Sequence, residues 1–135
     1  MAFKFENLKV WQSAVELSGQ ISELTKKFPK DELFILTSQL KRATDSIALN
    51  IAEGSTGQTN PEFKKFLGYA LRSAIEVVSC FYLARRRNLV NDQEFDHFYN
   101  YLTTLVKVFS HCVIQFANVP STINHRPWTF KIKRT

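Results

Sequence analysis

Histidine is the residue type most often used in catalysis and in zinc binding, and this sequence has three histidines spread along its second half. They are His97, His111 and His125. Their wide spacing matches neither the short intervals of zinc-ligand motifs nor the grouping of residues that activates a nucleophile. The histidines therefore predict neither a metal site nor a nucleophilic active site.

Carboxylates could supply a second kind of chemistry, because Glu16, Glu53 and Glu76 could meet inside a helical bundle. The di-metal sites of such bundles need Glu-x-x-His pairs on the helices. The sequence lacks the two pairs that such a site requires, because only Glu94 and His97 have this spacing and none of the three glutamates above is followed by a histidine three residues later. We therefore expect a protein that is not an enzyme and that uses no cofactor and no metal.

The stretch EGSTGQTNPEF, residues 53–63, could be a phosphate-binding loop. A loop of the Walker type needs Gly-x-x-x-x-Gly-Lys followed by Ser or Thr, after a strand. Here Gly54 and Gly57 precede no lysine before Lys64, and the stretch follows a helical pattern. We interpret it as a turn in which both glycines adopt left-handed conformations and Thr59 caps the next helix.

Apolar residues recur at steps of three and four in four segments, which is the pattern of amphipathic helices. The apolar seams run from Val10 to Phe28, Leu33 to Gly54, Phe63 to Ala84, and Phe95 to Phe116. Because the connections are short, consecutive helices must be antiparallel. The sequence predicts an all-α, up-down-up-down antiparallel four-helix bundle over residues 1–117.

Residues 118–135 have a different pattern and predict an extended, basic C-terminal tail. Trp128, Phe130 and Ile132 alternate with polar residues, as in an extended segment with one apolar face. Such a segment could strap across a neighbouring subunit, contact a ligand, or do both.

The third helical segment carries a second apolar stripe. Its residues are Gly68, Leu71, Ile75, Val78 and Tyr82. The stripe could be the edge of a broad core face, or it could contact another subunit. We favour subunit contact and expect a homo-oligomer whose interface also includes Trp128, Phe130 and Ile132.

Two polar residues, Asn50 and Glu53, lie near the end of the second seam. A polar group on a core face costs stability unless it is hydrogen-bonded. We interpret the two residues as a buried polar motif that fixes helix register.

The stretches FENLKVWQSAVEL, ELFILTSQLKRATDSIALNIAEGS and EFKKFLGYALRSAIE cover about half of the chain. Together they resemble the four-helix-bundle family of proteins encoded in intervening sequences of bacterial 23S ribosomal RNA genes. Leu36 to Ala43 and Ser46 to Gly54 match most of the family's second helix, although Ala48 and Leu49 replace its usual Pro and Ser.

The resemblance implies a bundle that assembles into a ring, commonly a pentamer, without enzymatic activity. It also points to a relative, the accessory variability protein of diversity-generating retroelements, which is a basic ring that binds nucleic acid and a reverse transcriptase. A reverse transcriptase is thus a partner that the resemblance implies.

The net charge of +6 indicates a polyanionic partner, and residues 118–135 contain four basic and no acidic residues. The residues that we predict to contact nucleic acid, structured RNA above all, are Lys41, Arg42, Lys64, Lys65, Arg85, Arg86, Arg87, Arg126, Lys131, Lys133 and Arg134. Lys41 and Arg42 are expected on a helix that faces the helix of Lys64 and Lys65.

These basic residues could also serve purposes that involve no nucleic acid. Arg85 to Arg87 suit the negative C-terminal end of a helix, and scattered lysines often form a solvated face. The alternative function is a protein-only scaffold, and a weaker one is contact with an anionic membrane surface. We expect a cytoplasmic protein with no membrane partner, since the first residues lack a signal-peptide pattern and Cys80 and Cys112 suit reduced core thiols.

Overall fold

Four long helices make up most of the chain in a computed structural model that describes residues 2–57 and 59–115. The helices are α1 (Lys9–Thr25), α2 (Ser38–Ser55), α3 (Asn60–Arg86) and α4 (Asp92–Gln115). Short 3-10 turns lie at Lys4–Asn7 and Lys30–Glu32, and a π-helical turn, Leu33–Thr37, precedes α2. The described residues contain no strand. The predicted all-α antiparallel four-helix bundle is confirmed, and the predicted tail lies outside the described residues.

The core is a single apolar cluster to which all four helices contribute. Its fully buried side chains include Leu17 on α1, Ile47 on α2 and Leu102 on α4. Phe81 of α3 stacks on Phe98 of α4 with ring centroids 4.7 Å apart. Each such side chain contributes about 1.5–3 kcal/mol by leaving water, so the predicted seams account for the packing of the helices.

The start of α2 differs from the predicted seam. Leu33 is 49% exposed, whereas Leu36 is 2% exposed and Leu40 is fully buried. The π-helical turn holds an extra residue compared with an α-helical turn, so the side chain of Leu33 at its start is rotated away from the seam that follows the turn. The prediction that Leu33 lies on the core face was therefore wrong.

The role predicted for Gly54 was also wrong. Neither Gly54 nor Gly57 has a positive φ. Gly54 is instead buried where α2 meets α3, and a Cβ added to it would lie 2.5 Å from Cβ of Phe66. This glycine is required because the two helices approach closely, and not because the chain turns there.

Local hydrogen bonds define the helix ends. Oγ1 of Thr59 accepts from the Glu62 N–H at 3.3 Å, which confirms Thr59 as the cap of α3. Asn91 and Glu94 form both bonds of a capping box at the start of α4, with distances of 2.7 and 3.0 Å. At the other end of α3, Asn88 adopts a left-handed conformation with φ 57°.

The helix α3 is long and apolar enough to cross a membrane by length and composition alone, with a mean hydropathy of 1.3 over its best window. In the bundle, seven residues of this helix between Leu67 and Ala84 are buried against the other helices. Cys80 on this helix is buried, Cys112 on α4 is half-buried, and both are free thiols.

Candidate nucleic-acid interface

One end of the bundle collects the C-terminus of α1, the start of α2, the C-terminus of α3 and the start of α4. We call residues 23–42 and 85–94 the basic end, because they contain eight Lys and Arg against five Asp and Glu. Two ion pairs tie its elements together. Lys27 binds Glu94 at 2.5 Å, and Arg87 binds Glu32 at 3.1 Å.

Most of the remaining charge at the basic end is not neutralised. Lys26 pairs with Glu23 at 2.6 Å in an exposed contact. Among the described residues, the basic side chains of this end that have no carboxylate within 4.0 Å are Lys30, Lys41, Arg42, Arg85 and Arg86. Cations without an acidic partner are available to the phosphates of a polyanion.

Arg85 is held by aromatic rings and not by an acid. Its guanidinium carbon lies 3.8 Å from the ring centroid of Phe95 and 5.2 Å from that of Tyr82. Such stacking fixes the guanidinium plane without neutralising its charge. Arg85 and Arg86 also occupy the last turn of α3, where a cation stabilises the helix dipole. The two residues thus have a structural role besides any contact with a ligand.

Arg87 differs from the other two arginines of the run because it forms an ion pair with Glu32. Its charge is already balanced, so Arg87 has less to offer a phosphate than Arg86, which is exposed and has no acidic partner among the described residues. The three arginines therefore have three different environments.

Lys64 and Lys65 lie at the opposite end of the bundle from Lys41 and Arg42. Gly54 of α2 contacts Phe66 of α3, so the lysine pair lies beside the C-terminus of α2. From Lys41 to that level is about 20 Å at 1.5 Å per residue. The helices α2 and α3 are neighbours as predicted, but the structure does not bring these four basic residues together. Lys65 lies 6.0 Å from the ring of Tyr69.

A short polar chain joins α2 to α3. The Asn50 side-chain amide donates to the Ser46 carbonyl at 2.8 Å and to the Ser46 hydroxyl at 3.0 Å. That hydroxyl lies 2.9 Å from the Ser73 hydroxyl on α3. Asn50 is half-buried, whereas Glu53 is exposed. The prediction that Glu53 is buried with Asn50 was wrong, because Glu53 lies on the solvent side of α2.

The predicted subunit stripe divides between the protein's own core and its surface. Leu71, Val78 and Tyr82 are half-buried and pack against the core, with Tyr82 edge-on to Phe95 at 5.0 Å. Ile75 is 41% exposed, and Gly68 has open space where a side chain would be. Only the Ile75 and Gly68 positions leave substantial surface for another subunit.

An exposed apolar group was not expected from the sequence. Leu33, Phe34 and Ile35, which we call the apolar trio, are 49%, 88% and 61% exposed. The spacing of apolar residues assigned Leu33 to the core, because that spacing does not reveal where a π-helical turn occurs. The remaining predicted residues, Arg126, Trp128, Phe130, Lys131, Ile132, Lys133 and Arg134, lie outside the described residues.

Fold and surface together define an antiparallel four-helix bundle with an unneutralised basic end and, among the described residues, no cluster of His, Cys, Asp or Glu suited to a metal. A family model described as "23S rRNA-intervening sequence protein" matches residues 6–111. The chain therefore belongs to the family of 23S rRNA-intervening sequence proteins, as the resemblance implied.

A solved structure supports the same fold. It is the 1.70 Å crystal structure of a protein of unknown function from the S23 ribosomal protein family of Bacteroides thetaiotaomicron VPI-5482. The similarity has a TM-score of 0.72 at 24% identity, and covers 77% of this chain and 97% of that one. No protein with a curated description matches the chain. The relationship to accessory variability proteins stays a prediction.

Proposed function

We propose that this protein is a non-enzymatic, RNA-binding subunit of a homo-oligomeric ring, with a pentamer as the favoured assembly. The observation that supports it best is the group of basic side chains at the basic end that have no acidic partner among the described residues. Phosphate contacts by such side chains supply most of the sequence-independent affinity for nucleic acid. The name of the family refers to 23S rRNA, so structured RNA is the first nucleic acid to test.

Assembly into a ring would strengthen this binding without adding a contact to any one subunit. A ring of five chains of net charge +6 would carry about +30, and a closed ring also raises the effective concentration of each binding surface. Exposed apolar side chains on α2 and α3, namely Leu49 at 65% and Ile75 at 41%, are available for contact between copies.

The test of RNA binding is a fluorescence anisotropy titration with a labelled RNA hairpin at several salt concentrations. We expect affinity to fall steeply with salt. The charge-reversal variant Lys41→Glu/Arg42→Glu should bind more weakly. We also expect its salt slope, which is the slope of log affinity against log salt concentration, to be shallower by about two, because each lost phosphate contact reduces the slope by about one.

The matched control is Lys9→Glu/Lys107→Glu, which makes the same change in net charge at exposed positions away from the basic end. It should keep most of the salt slope. Equal losses in both variants would show that only net charge matters, and binding that is absent or independent of salt would contradict the proposal.

The apolar trio favours a second function, a protein-only scaffold. An exposed Phe34 beside two further exposed apolar side chains suits a polypeptide partner better than a phosphate backbone. A scaffold complex would persist at moderate salt and would be weakened by Phe34→Ser and not by Lys41→Glu/Arg42→Glu. An accessory role beside a reverse transcriptase, which the resemblance implies, would require RNA binding and is worth testing after it.

A further inference from the structure

A pocket of about 300 Å³ lies at the basic end, between the last turn of α1 and the start of α2. The polar residues that line it are Ser22, Thr25, Lys26, Lys30, Thr37 and Lys41, and none of its lining residues is acidic. Three lysines among the residues lining a small cavity disfavour a cation or a purely apolar ligand. They favour a small anion.

Thr37 carries the strongest sign that a ligand belongs in this pocket. The residue is only 6% exposed, and its Oγ1 is buried with no hydrogen-bond partner among the described residues. A buried hydroxyl without a partner is costly and rare. Two buried threonines elsewhere in the bundle avoid that cost. Thr25 donates to the Ile21 carbonyl at 2.9 Å, and Thr44 donates to the Leu40 carbonyl at 2.7 Å.

The π-helical turn explains why Thr37 differs. In an α-helix a threonine hydroxyl reaches the carbonyl four residues earlier, as in Thr25 and Thr44. Thr37 ends the π-helical turn Leu33–Thr37, whose wider hydrogen-bonding pattern displaces that carbonyl. The hydroxyl therefore keeps a donor that the backbone of its own helix does not use.

The lysines around the pocket are free or easily freed. Lys30 and Lys41 have no carboxylate partner within 4.0 Å among the described residues. Lys26 contacts Glu23 in a pair that is 73% and 66% exposed, and such pairs contribute little to stability. An anion in the pocket could therefore gain three cations without breaking a buried interaction.

We propose that this pocket binds a phosphate group, which is neutralised by Lys26, Lys30 and Lys41 and accepts a hydrogen bond from the Thr37 hydroxyl after a rotation of that side chain turns the hydroxyl, buried in the free protein, toward the cavity. The phosphate could belong to an RNA backbone, in which case the pocket is part of the proposed RNA interface, or to a small phosphate ester. The proposal concerns the phosphate group itself and does not require that the protein bind RNA.

The first experiment follows the backbone amide signals of the ¹⁵N-labelled protein by NMR while inorganic phosphate is added at constant ionic strength, with chloride as the reference anion. We expect saturable shifts at Thr37 and Lys41 in the millimolar range. Shifts that do not saturate, or that chloride reproduces, would overturn the proposal.

The decisive variant is Thr37→Val, which keeps the shape of the side chain and removes only the hydroxyl. Because that hydroxyl has no partner in the free protein, we expect Thr37→Val to unfold at the same or a higher temperature and to bind phosphate about tenfold more weakly. Thr44→Val is the matched control, since Thr44 is fully buried on the same helix and does not line the pocket. Unchanged phosphate affinity in Thr37→Val would contradict the assignment.

RNA titrations with the same variants distinguish the sources of the phosphate. Weaker RNA binding by Thr37→Val would support an RNA phosphate as the natural ligand. Phosphate binding that depends on Thr37, together with unchanged or absent RNA binding, would support a small phosphate ester. The latter result would leave the pocket assignment intact even if the proposed RNA-binding function failed.

Discussion

Single residues in this protein matter for reasons that a sequence pattern shows only in part. The capping box of Asn91 and Glu94 can be predicted from the spacing of the two residues, because its hydrogen bonds are local. The importance of Gly54 was visible in the sequence, but its reason was not. Close approach of two helices is a property of tertiary structure, and no local signal distinguishes it from a helix-ending conformation.

Gly54→Ala tests this reason. The new Cβ would lie 2.5 Å from Cβ of Phe66, and each Cβ is bonded directly to a helix backbone, so the contact is relieved only if the two helices separate. We expect a loss of about 1–3 kcal/mol in the free energy of unfolding, measured by urea denaturation. The control is Gly19→Ala, where nothing lies within 4 Å and the better helix propensity of alanine should add about 0.5–1 kcal/mol. A neutral Gly54→Ala would refute the close-contact explanation.

Glu94 predicts an acid-sensitive contribution to stability. Burial alone would raise its pKa, but the hydrogen bond from the Asn91 N–H and the bond and charge of Lys27 together lower the pKa below its ordinary value of 4.5. Because the pKa is lower in the folded chain, the stabilisation is present above pH 4.5 and is lost as pH falls through the lower folded value.

Unfolding by urea at neutral and at acidic pH measures this contribution. Relative to the wild type, Glu94→Gln should lose about 0.5–1 kcal/mol at neutral pH and nothing at low pH. Glu23→Gln serves as the control, since its ion pair with Lys26 is largely exposed. A difference between Glu94→Gln and the wild type that does not change with pH would show that the charge of Glu94 is not the source of the stabilisation.

Among the elements, the long helices could be predicted and the start of α2 could not. Apolar residues at intervals of three and four located the core face of each helix, because a helix that buries one face repeats its buried positions at those intervals. A π-helical turn changes the period for one turn only, so Leu33 was assigned to the core and the exposed Phe34 was missed. The same turn creates the unusual environment of Thr37, and for this reason the phosphate pocket was not predicted, although one of its lysines, Lys41, was among the predicted residues.

Two substitutions within this turn should have very different consequences. Phe34 is 88% exposed, so Phe34→Ser should change the free energy of unfolding by less than about 0.5 kcal/mol. Leu36, two residues later, is 2% exposed, and Leu36→Ala should cost about 2–5 kcal/mol. Urea denaturation of both variants checks the register. A large loss in Phe34→Ser would show that Phe34 is buried, for example against another copy.

At the scale of the whole molecule, the sequence predicted that the bundle is antiparallel but not how its charges are distributed. The short connections fix the direction of each helix. Which basic residues share an end follows only once the helices are aligned, and the alignment separates Lys41 from Lys64. Ion pairing is also a tertiary property, so the difference between Arg87 and its two neighbours could not be seen in the run of three arginines.

The proposed assembly predicts a mass several times that of the 15.6 kDa chain in light scattering. Ile75→Asp should lower that mass, because a buried carboxylate at a contact between copies would be unpaired. Glu76→Asp, at the neighbouring exposed position, is the control and should leave the mass unchanged. A monomeric wild-type protein would contradict the ring, and an unchanged mass in Ile75→Asp would place the contact elsewhere.

The two cysteines differ enough to be used separately. Burial, together with the nearby charge of Glu76, raises the pKa of Cys80 to about 11, so this thiol stays protonated and enclosed in the core at neutral pH. Cys112 lies half-buried near the end of α4. A maleimide dye should therefore attach at Cys112 alone, which makes the natural sequence a singly labelled probe. Energy transfer between labelled copies could then report subunit arrangement without a single engineered residue.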